Sequence, residues 1–392
     1  MDICSEKALP PPRDRPERGG GQGVHLCLAE RKMRTFPFTL IFLTVLATLA
    51  GYALGGWLTF LTVFIAFVVV PLFDFVLGAN TLNPTPEEEA TLDEARDFKL
   101  LTWIAAPVQV ALMFWGAWVA GTKNLSWVET AGLTVSVGIV GGAMGINVSH
   151  ELIHRYRPFE TFLGKAMLWS VSYLHWSIEH VAGHHRRVAT PQDPATARYG
   201  ESVYAFLPRT IIDSFISAWT IERHRLKKKG LAEYGFHNRI LRYLAATAAL
   251  AVGLGLLWGA AAVAFFLVQS LVAITLLEIV NYIEHYGLLR RRVSDTEFEE
   301  VTPVHSWNAS QRLTNYFLFN LQRHSDHHAR AHIRYQLLRH LDESPQLPTG
   351  YAGMVLLTLV PPLWFAVMNK RVPPHMKDLA KEYFDSPAVA EA

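Results

Sequence analysis

Apolar residues in this chain come in long unbroken runs separated by polar stretches, a pattern that predicts spans buried in lipid. Residues 36–78 are almost continuously apolar, about twice the roughly 20 residues that one membrane-crossing helix needs, and Gly51, Gly55 and Gly56 lie near the middle. This predicts a transmembrane hairpin. After an acidic segment that runs from Pro86-Glu87-Glu88-Glu89 to Asp97, the runs at 100–120 and 128–148 predict a third and a fourth span, the fourth leading directly into His150. Residues 243–280, with Gly259 near the centre, predict a last hairpin and bring the count to six. Two weaker apolar stretches, 159–176 and 206–219, carry charges and aromatics and suit helices lying at the membrane interface. The last run, 351–368, is interrupted by Pro361-Pro362 and fits a surface or re-entrant segment better than a seventh span.

Orientation follows from the basic residues. The segment 151–240 holds Arg186-Arg187 and Lys227-Lys228-Lys229, so it is expected on the cytoplasmic side. An even number of spans then places the polar ends of the fourth and sixth spans on that same face. The expected fold is an all-α integral membrane protein, with six transmembrane helices, interfacial helices and a cytoplasmic histidine-rich site. Residues 1–34, with Pro10-Pro11-Pro12 and Gly19-Gly20-Gly21, show no periodicity and are expected to form a disordered tail. They lack the apolar core of a secretory signal, and Met33 is a second candidate start. Residues 35–370 form the expected membrane domain and 371–392 a C-terminal tail.

Composition agrees, since 51% of the residues are hydrophobic and the mean hydropathy is +0.17. A net charge of +2, with basic residues scattered in short loops, argues against a nucleic-acid partner. The two cysteines, Cys4 and Cys27, both precede the first apolar run, and no Cys-x-x-Cys occurs. A disulfide framework or an iron–sulfur carrier within this chain is therefore not expected, and any electrons must come from a partner.

The candidate chemistry lies in the histidines. Residues 322–328 read Gln-Arg-His-Ser-Asp-His-His, and positions three and four apart share a helix face, so His324, His327 and His328 can converge on one point. The pattern recurs in His150 and His154 of His-Glu-Leu-Ile-His, and in His180, His184 and His185 of Glu-His-Val-Ala-Gly-His-His. His285, in Asn-Tyr-Ile-Glu-His-Tyr-Gly, completes nine. One such pair could simply be solvated, but four groups at one membrane face point to a metal centre. Closed structural zinc takes four ligands, so nine imidazoles imply two ions. The other histidines lack this clustering, and His305 is the reserve ligand.

Carboxylates accompany the histidines: Glu151, Glu179, Glu284 and Asp326 beside them, Asp193 after the second cluster, and Glu278 two turns before His285 on the same face. Sequence neighbours point about 100° apart on a helix, so each acid is expected to orient a histidine of another cluster by accepting its free ring N–H. A proton-relaying transporter would instead place ionisable groups in mid-span, where this chain has few.

Four segments carry a resemblance: His-Glu-Leu-Ile-His at 150–154, Glu-His-Val-Ala-Gly-His-His with the following Arg-Val-Ala-Thr-Pro-Gln-Asp-Pro-Ala-Thr at 179–196, Asn-Tyr-Ile-Glu-His-Tyr-Gly-Leu at 281–288, and Leu-Gln-Arg-His-Ser-Asp-His-His-Ala at 321–329. The chain resembles the membrane-bound alkane 1-monooxygenases over roughly residues 36–367. The resemblance implies a bacterial inner-membrane enzyme with two non-haem iron ions on the nine histidines. Such an enzyme inserts one atom of O2 into the terminal methyl of a linear alkane. It implies electrons from rubredoxin, itself reduced by an NAD(P)H-dependent reductase. Because the sequence ends at Glu391-Ala392 without further cysteines, a separate rubredoxin is expected, docking on the basic face at Arg186, Arg187 and Lys227 to Lys229. Xylene monooxygenases, which oxidise an aromatic methyl, are the alternative. Fatty acid desaturases are further away, since their middle box is usually His-x-x-His-His. In the second span, Ile65, Ala66, Phe67 and Val69 are the expected substrate wall, with room for a medium-to-long chain.

Overall fold

The structure is a computed structural model that describes residues 35–155, 157–295 and 297–384. The tail expected at 1–34 lies outside the described residues. Among the described residues there is no β-strand beyond isolated bridges, and six helices are long and apolar enough to cross a membrane. They are Phe36–Leu54, Gly56–Leu77, Arg96–Thr122, Trp127–Ile153, Arg239–Trp258 and Ala260–His285. All six expected spans are present. Several helices outrun their apolar stretch at the polar end, so that His150 lies inside the fourth span and His285 closes the sixth.

Local chemistry sets the boundaries. Gly55 and Gly259 turn the first and last hairpins with φ of 72° and 82°, a region open to glycine without steric cost. Gly51 lets the first span approach the backbone carbonyl of Leu58 closely. Ser126 and Glu129 form a capping box at the start of the fourth span, and Glu129 Oε1 also accepts from the Gly56 N–H at 3.0 Å, tying the first hairpin to that span.

The second and fifth spans bury little inside the protein and present Leu72, Phe75, Val76, Leu256 and Leu257 outward. Apolar surface of this extent belongs against lipid, so the chain is a multi-pass membrane protein. The fourth span is the most enclosed, packed against the first, second, third and sixth.

The expected interfacial stretches are the helix Pro158–Ser170 and part of the helix Val203–Lys228. Residues 351–368 form two short helices, Tyr351–Thr358 and Pro361–Met368, neither long enough to span. Residues 374–384 form a further helix, from which the Tyr383 hydroxyl donates to the Arg290 carbonyl. Asp74, near the end of the second span, accepts the backbone N–H groups of Leu313 and Thr314 at 3.0 Å each and also the Thr314 hydroxyl. That anchor fixes the loop that leads into residues 322–328.

Candidate metal centre

The nine histidines come together in two groups. Ring nitrogens of His150, His154, His180, His185 and His327 lie within 4.8 Å of one another, and so do those of His184, His285, His324 and His328. In the first group Nε2 of His180 stands 3.0 Å from that of His154 and 3.1 Å from that of His185. In the second, His324 Nε2 stands 2.8 Å from His328 Nε2 and 3.3 Å from His285 Nε2. The groups are neighbours, with the rings of His185 and His328 centred 4.6 Å apart.

Backbone geometry decides which histidine goes where. His180–His184 form one π-helical turn, whose wider circuit brings His185 round to His180 and sends His184 to the other group. In the helix His324–Ala329, His324 and His328 share a face four residues apart. His327 does not converge with them as the spacing suggested: it points about 100° from His328 and joins the first group. Strained backbone flanks both segments, with Ala189 at φ 59°, Phe319 at 51° and Asn320 at 56°.

The electrostatics suit a cation. Burial first, and neighbouring imidazoles second, hold His180, His185, His324, His327 and His328 well below the ordinary histidine range. His154 is brought down to about 3 by burial, with Arg155 and His184 adding to it. These rings are neutral at physiological pH and offer lone pairs, the form in which imidazole binds metal. Ring nitrogens about 3 Å apart are held together by a shared proton or by a cation between them. Nε2 of His150 and of His184 are buried without a hydrogen-bond partner. The donor set and these orphaned atoms fit two metal ions.

Two of the carboxylates meet one of the nine histidines, Glu284 one from another cluster and Asp193 one from the cluster it follows. Asp193 Oδ2 lies 3.0 Å from His184 Nδ1 and accepts the Thr196 hydroxyl at 2.7 Å. Burial by itself pushes the Asp193 carboxyl up, but the His184 ring and Thr196 outweigh it and hold the group below its usual range. Glu284 Oε1 lies 3.2 Å from His324 Nδ1 and accepts the Tyr351 hydroxyl at 2.9 Å. The other four acids have different partners. Glu151 pairs with Arg155, Glu179 with Arg187, and Asp326 with Arg330 and Arg339. Glu278 accepts from Tyr173, Thr210 and Asn281. Glu151–Arg155 and Asp326–Arg330 are four residues apart, a helical ion-pair spacing visible in the sequence. His305 stands outside both groups, accepting from the Thr302 N–H and facing Glu299.

Comparison with known proteins identifies the family. The sequence model of the fatty acid desaturase family matches residues 125–358. Alkane 1-monooxygenase 2 of Pseudomonas aeruginosa is 46% identical over 80% of this chain and 83% of its own length. Alkane 1-monooxygenase 2 of Alcanivorax borkumensis is 44% identical over 81% of this chain and 83% of its own. The chain belongs to the fatty acid desaturase family and, within it, to the alkane 1-monooxygenases. A xylene/toluene monooxygenase hydroxylase component of Pseudomonas putida is more distant, at 28% identity over 90% of this chain and 91% of its own length.

As in any member of a family named for acting on alkanes, the approach to the metal centre matters as much as the centre. A cleft of about 930 Å³, counted to its open mouth, ends at His150 and His180 of the five-histidine group and His324 of the four-histidine group. Its walls are mostly apolar, with Ala66, Phe67 and Val70 from the second span facing Leu276, Leu277 and Val280 from the sixth. Of the wall residues expected from sequence, Ala66 and Phe67 line the cleft, whereas Ile65 and Val69 do not. Ala66 and Phe67 lie inside the π-helical turn Ile65–Val69 and Val70 directly follows it, so the turn's wider circuit decides which of these positions reach the cleft. Sequence reasoning did not single out Trp176, stacked on His180 with centroids 4.3 Å apart, or Tyr351. Neither residue belongs to a histidine cluster, so no ligand spacing marked it in the sequence.

Proposed function

We propose that this chain hydroxylates the terminal methyl of medium-to-long linear alkanes, consuming O2, two electrons and two protons and releasing a 1-alkanol and water. Two irons would be held by His150, His154, His180, His185 and His327 on one side and His184, His285, His324 and His328 on the other. The observation that carries this reading is the position of the cleft: one apolar channel ends on histidines of both groups. Imidazole alone suits several metals, but oxidation of an unactivated C–H bond calls for a redox-active one. Iron, when bound there, supplies the O2 and one-electron chemistry that no side chain offers.

The protein's own part is positioning. Apolar walls strip water from the chain, and a channel that admits it end-on presents the last carbon to the histidines, which favours terminal attack. Ala66→Trp is expected to block the far part of the cleft and shorten the preferred alkane. An unchanged product profile over a series of chain lengths would remove the second span from the substrate wall.

Electrons would arrive from a rubredoxin and its NAD(P)H-dependent reductase on the cytoplasmic side of a bacterial inner membrane. Arg186 and Lys227 to Lys229 are exposed and available to an acidic carrier, while Arg187 is tied to Glu179. Charge reversal at Lys227 and Lys228 is expected to slow turnover most at low ionic strength; turnover with an unaltered salt dependence would rule out that face.

The decisive experiment is product analysis by gas chromatography and mass spectrometry. Membranes holding this protein, rubredoxin, its reductase and NADH are offered dodecane and xylene under 18O2. Labelled 1-dodecanol supports the reading. Labelled methylbenzyl alcohol without dodecanol would move the chain to aromatic methyl oxidation, and no product from iron-loaded membranes would overturn it.

A further inference from the structure

The apolar cleft contains two amides for which an alkane has no use. Asn147 and Asn281 both line it, and they are only 7% and 5% exposed. Their helices run side by side in the same direction. Gly138 of the fourth span lies against Val272 and the Gln269 carbonyl of the sixth, and Gly142 against Leu276 and the Ala273 carbonyl. Asn147 follows Gly142 by five residues, just past the π-helical turn Gly141–Ile146, and Asn281 follows Leu276 by five, so both cleft-lining amides lie beyond that contact, with His150 and Glu284 three residues further on. The amide pair therefore stands one helical turn before the histidine end of the cleft.

Their hydrogen bonding is incomplete in a complementary way. Asn281 Nδ2 donates to Glu278 Oε2 at 3.1 Å, which leaves its carbonyl oxygen as the acceptor. Asn147 Nδ2 is buried with no partner, a free donor. An unpaired amide among apolar walls is costly, and a bound alkane cannot relieve it. A primary alcohol can: its one hydroxyl both accepts and donates, and in the proposed reaction it forms at the histidine end of this cleft.

We propose that Asn147 and Asn281 form a hydroxyl-binding subsite, Asn147 donating to the hydroxyl oxygen of the 1-alkanol and Asn281 accepting its proton. The inference rests on the alkane-hydroxylating function proposed above. Its consequence is that the cleft binds a primary alcohol more tightly than an alkane of equal length, and the product competes with fresh substrate.

The test uses the full protein in membranes with its electron donors. Conversion of decane to 1-decanol is measured against two competitors with equal numbers of heavy atoms, 1-dodecanol and tridecane, each referred to its concentration in the membrane. In the wild type 1-dodecanol is expected to be the stronger inhibitor. Asn147→Leu is expected to reduce that preference about threefold to tenfold, the effect of one neutral hydrogen bond, and Asn147→Ser to restore part of it. A purely structural role would move both inhibition constants together, and that outcome overturns the proposal. Equal inhibition by the two competitors in the wild type overturns it as well, without any variant. Absence of 1-decanol from the wild type would remove the hydroxylase reading itself, an outcome distinct from 1-decanol formed with an unchanged preference.

Discussion

His328→Ala is expected to lose metal more completely than His327→Ala, although the two residues are adjacent and both variants lose nearly all turnover. The reason lies in the two groups. His328 belongs to the set of four, so its loss leaves three imidazoles, whereas His327 belongs to the set of five and leaves four behind. Four nitrogens still make a closed coordination shell; three leave it open. Loss of an orienting partner alone costs about 10–100-fold in metal affinity or activity, and loss of a ligand is expected to cost more. Metal content per protein, measured by plasma mass spectrometry after removal of loosely held metal, checks the order. Equal losses in the two variants would contradict the division into five and four.

The six spans could be read in the sequence because lipid demands about 20 consecutive apolar residues, and little else produces such runs. The nine histidines could be read for a related reason: four clusters at the ends of spans are too costly to bury for packing alone, and the structure brings those same nine together. Their division was not legible. It depends on the π-helical turn at His180–His184, and one inserted position in a helix leaves no mark in local composition. The carboxylates show a similar limit. Helical spacing could have assigned Glu151 to Arg155 and Asp326 to Arg330, four residues on, but not Glu179 to Arg187, which depends on tertiary packing. The contact of Glu284 with His324 and Tyr351 joins three segments far apart in the chain, so no local pattern announces it. The wall of the cleft was half legible, since an apolar stripe identifies the span but not which residues face inward around a π-helical turn.

Asp193→Asn is expected to reduce both metal retention and turnover about 10–100-fold while the protein still accumulates in the membrane. The carboxylate faces His184 Nδ1 at 3.0 Å, which fixes that ring with its proton on Nδ1 and its Nε2 lone pair toward His285, His324 and His328. An amide of the same shape can place either its oxygen or its NH2 group there. With the oxygen toward the ring the orientation survives but the negative charge is lost; with the nitrogen, two donors meet and the ring turns over. Since Asp193 is held below the usual carboxylate range, with the His184 ring the largest influence opposing burial, the loss of charge alone is expected to weaken the donor strength of His184. The control is Asp326→Asn, whose carboxylate is tied to Arg330 and Arg339 and touches no histidine nitrogen of either group. That variant is expected to lose stability, seen as a lower melting temperature in detergent, with metal retention per folded protein close to the wild type. Metal loss in Asp326→Asn as large as in Asp193→Asn would show that the cost comes from general disruption of a buried charge and not from the orientation of His184.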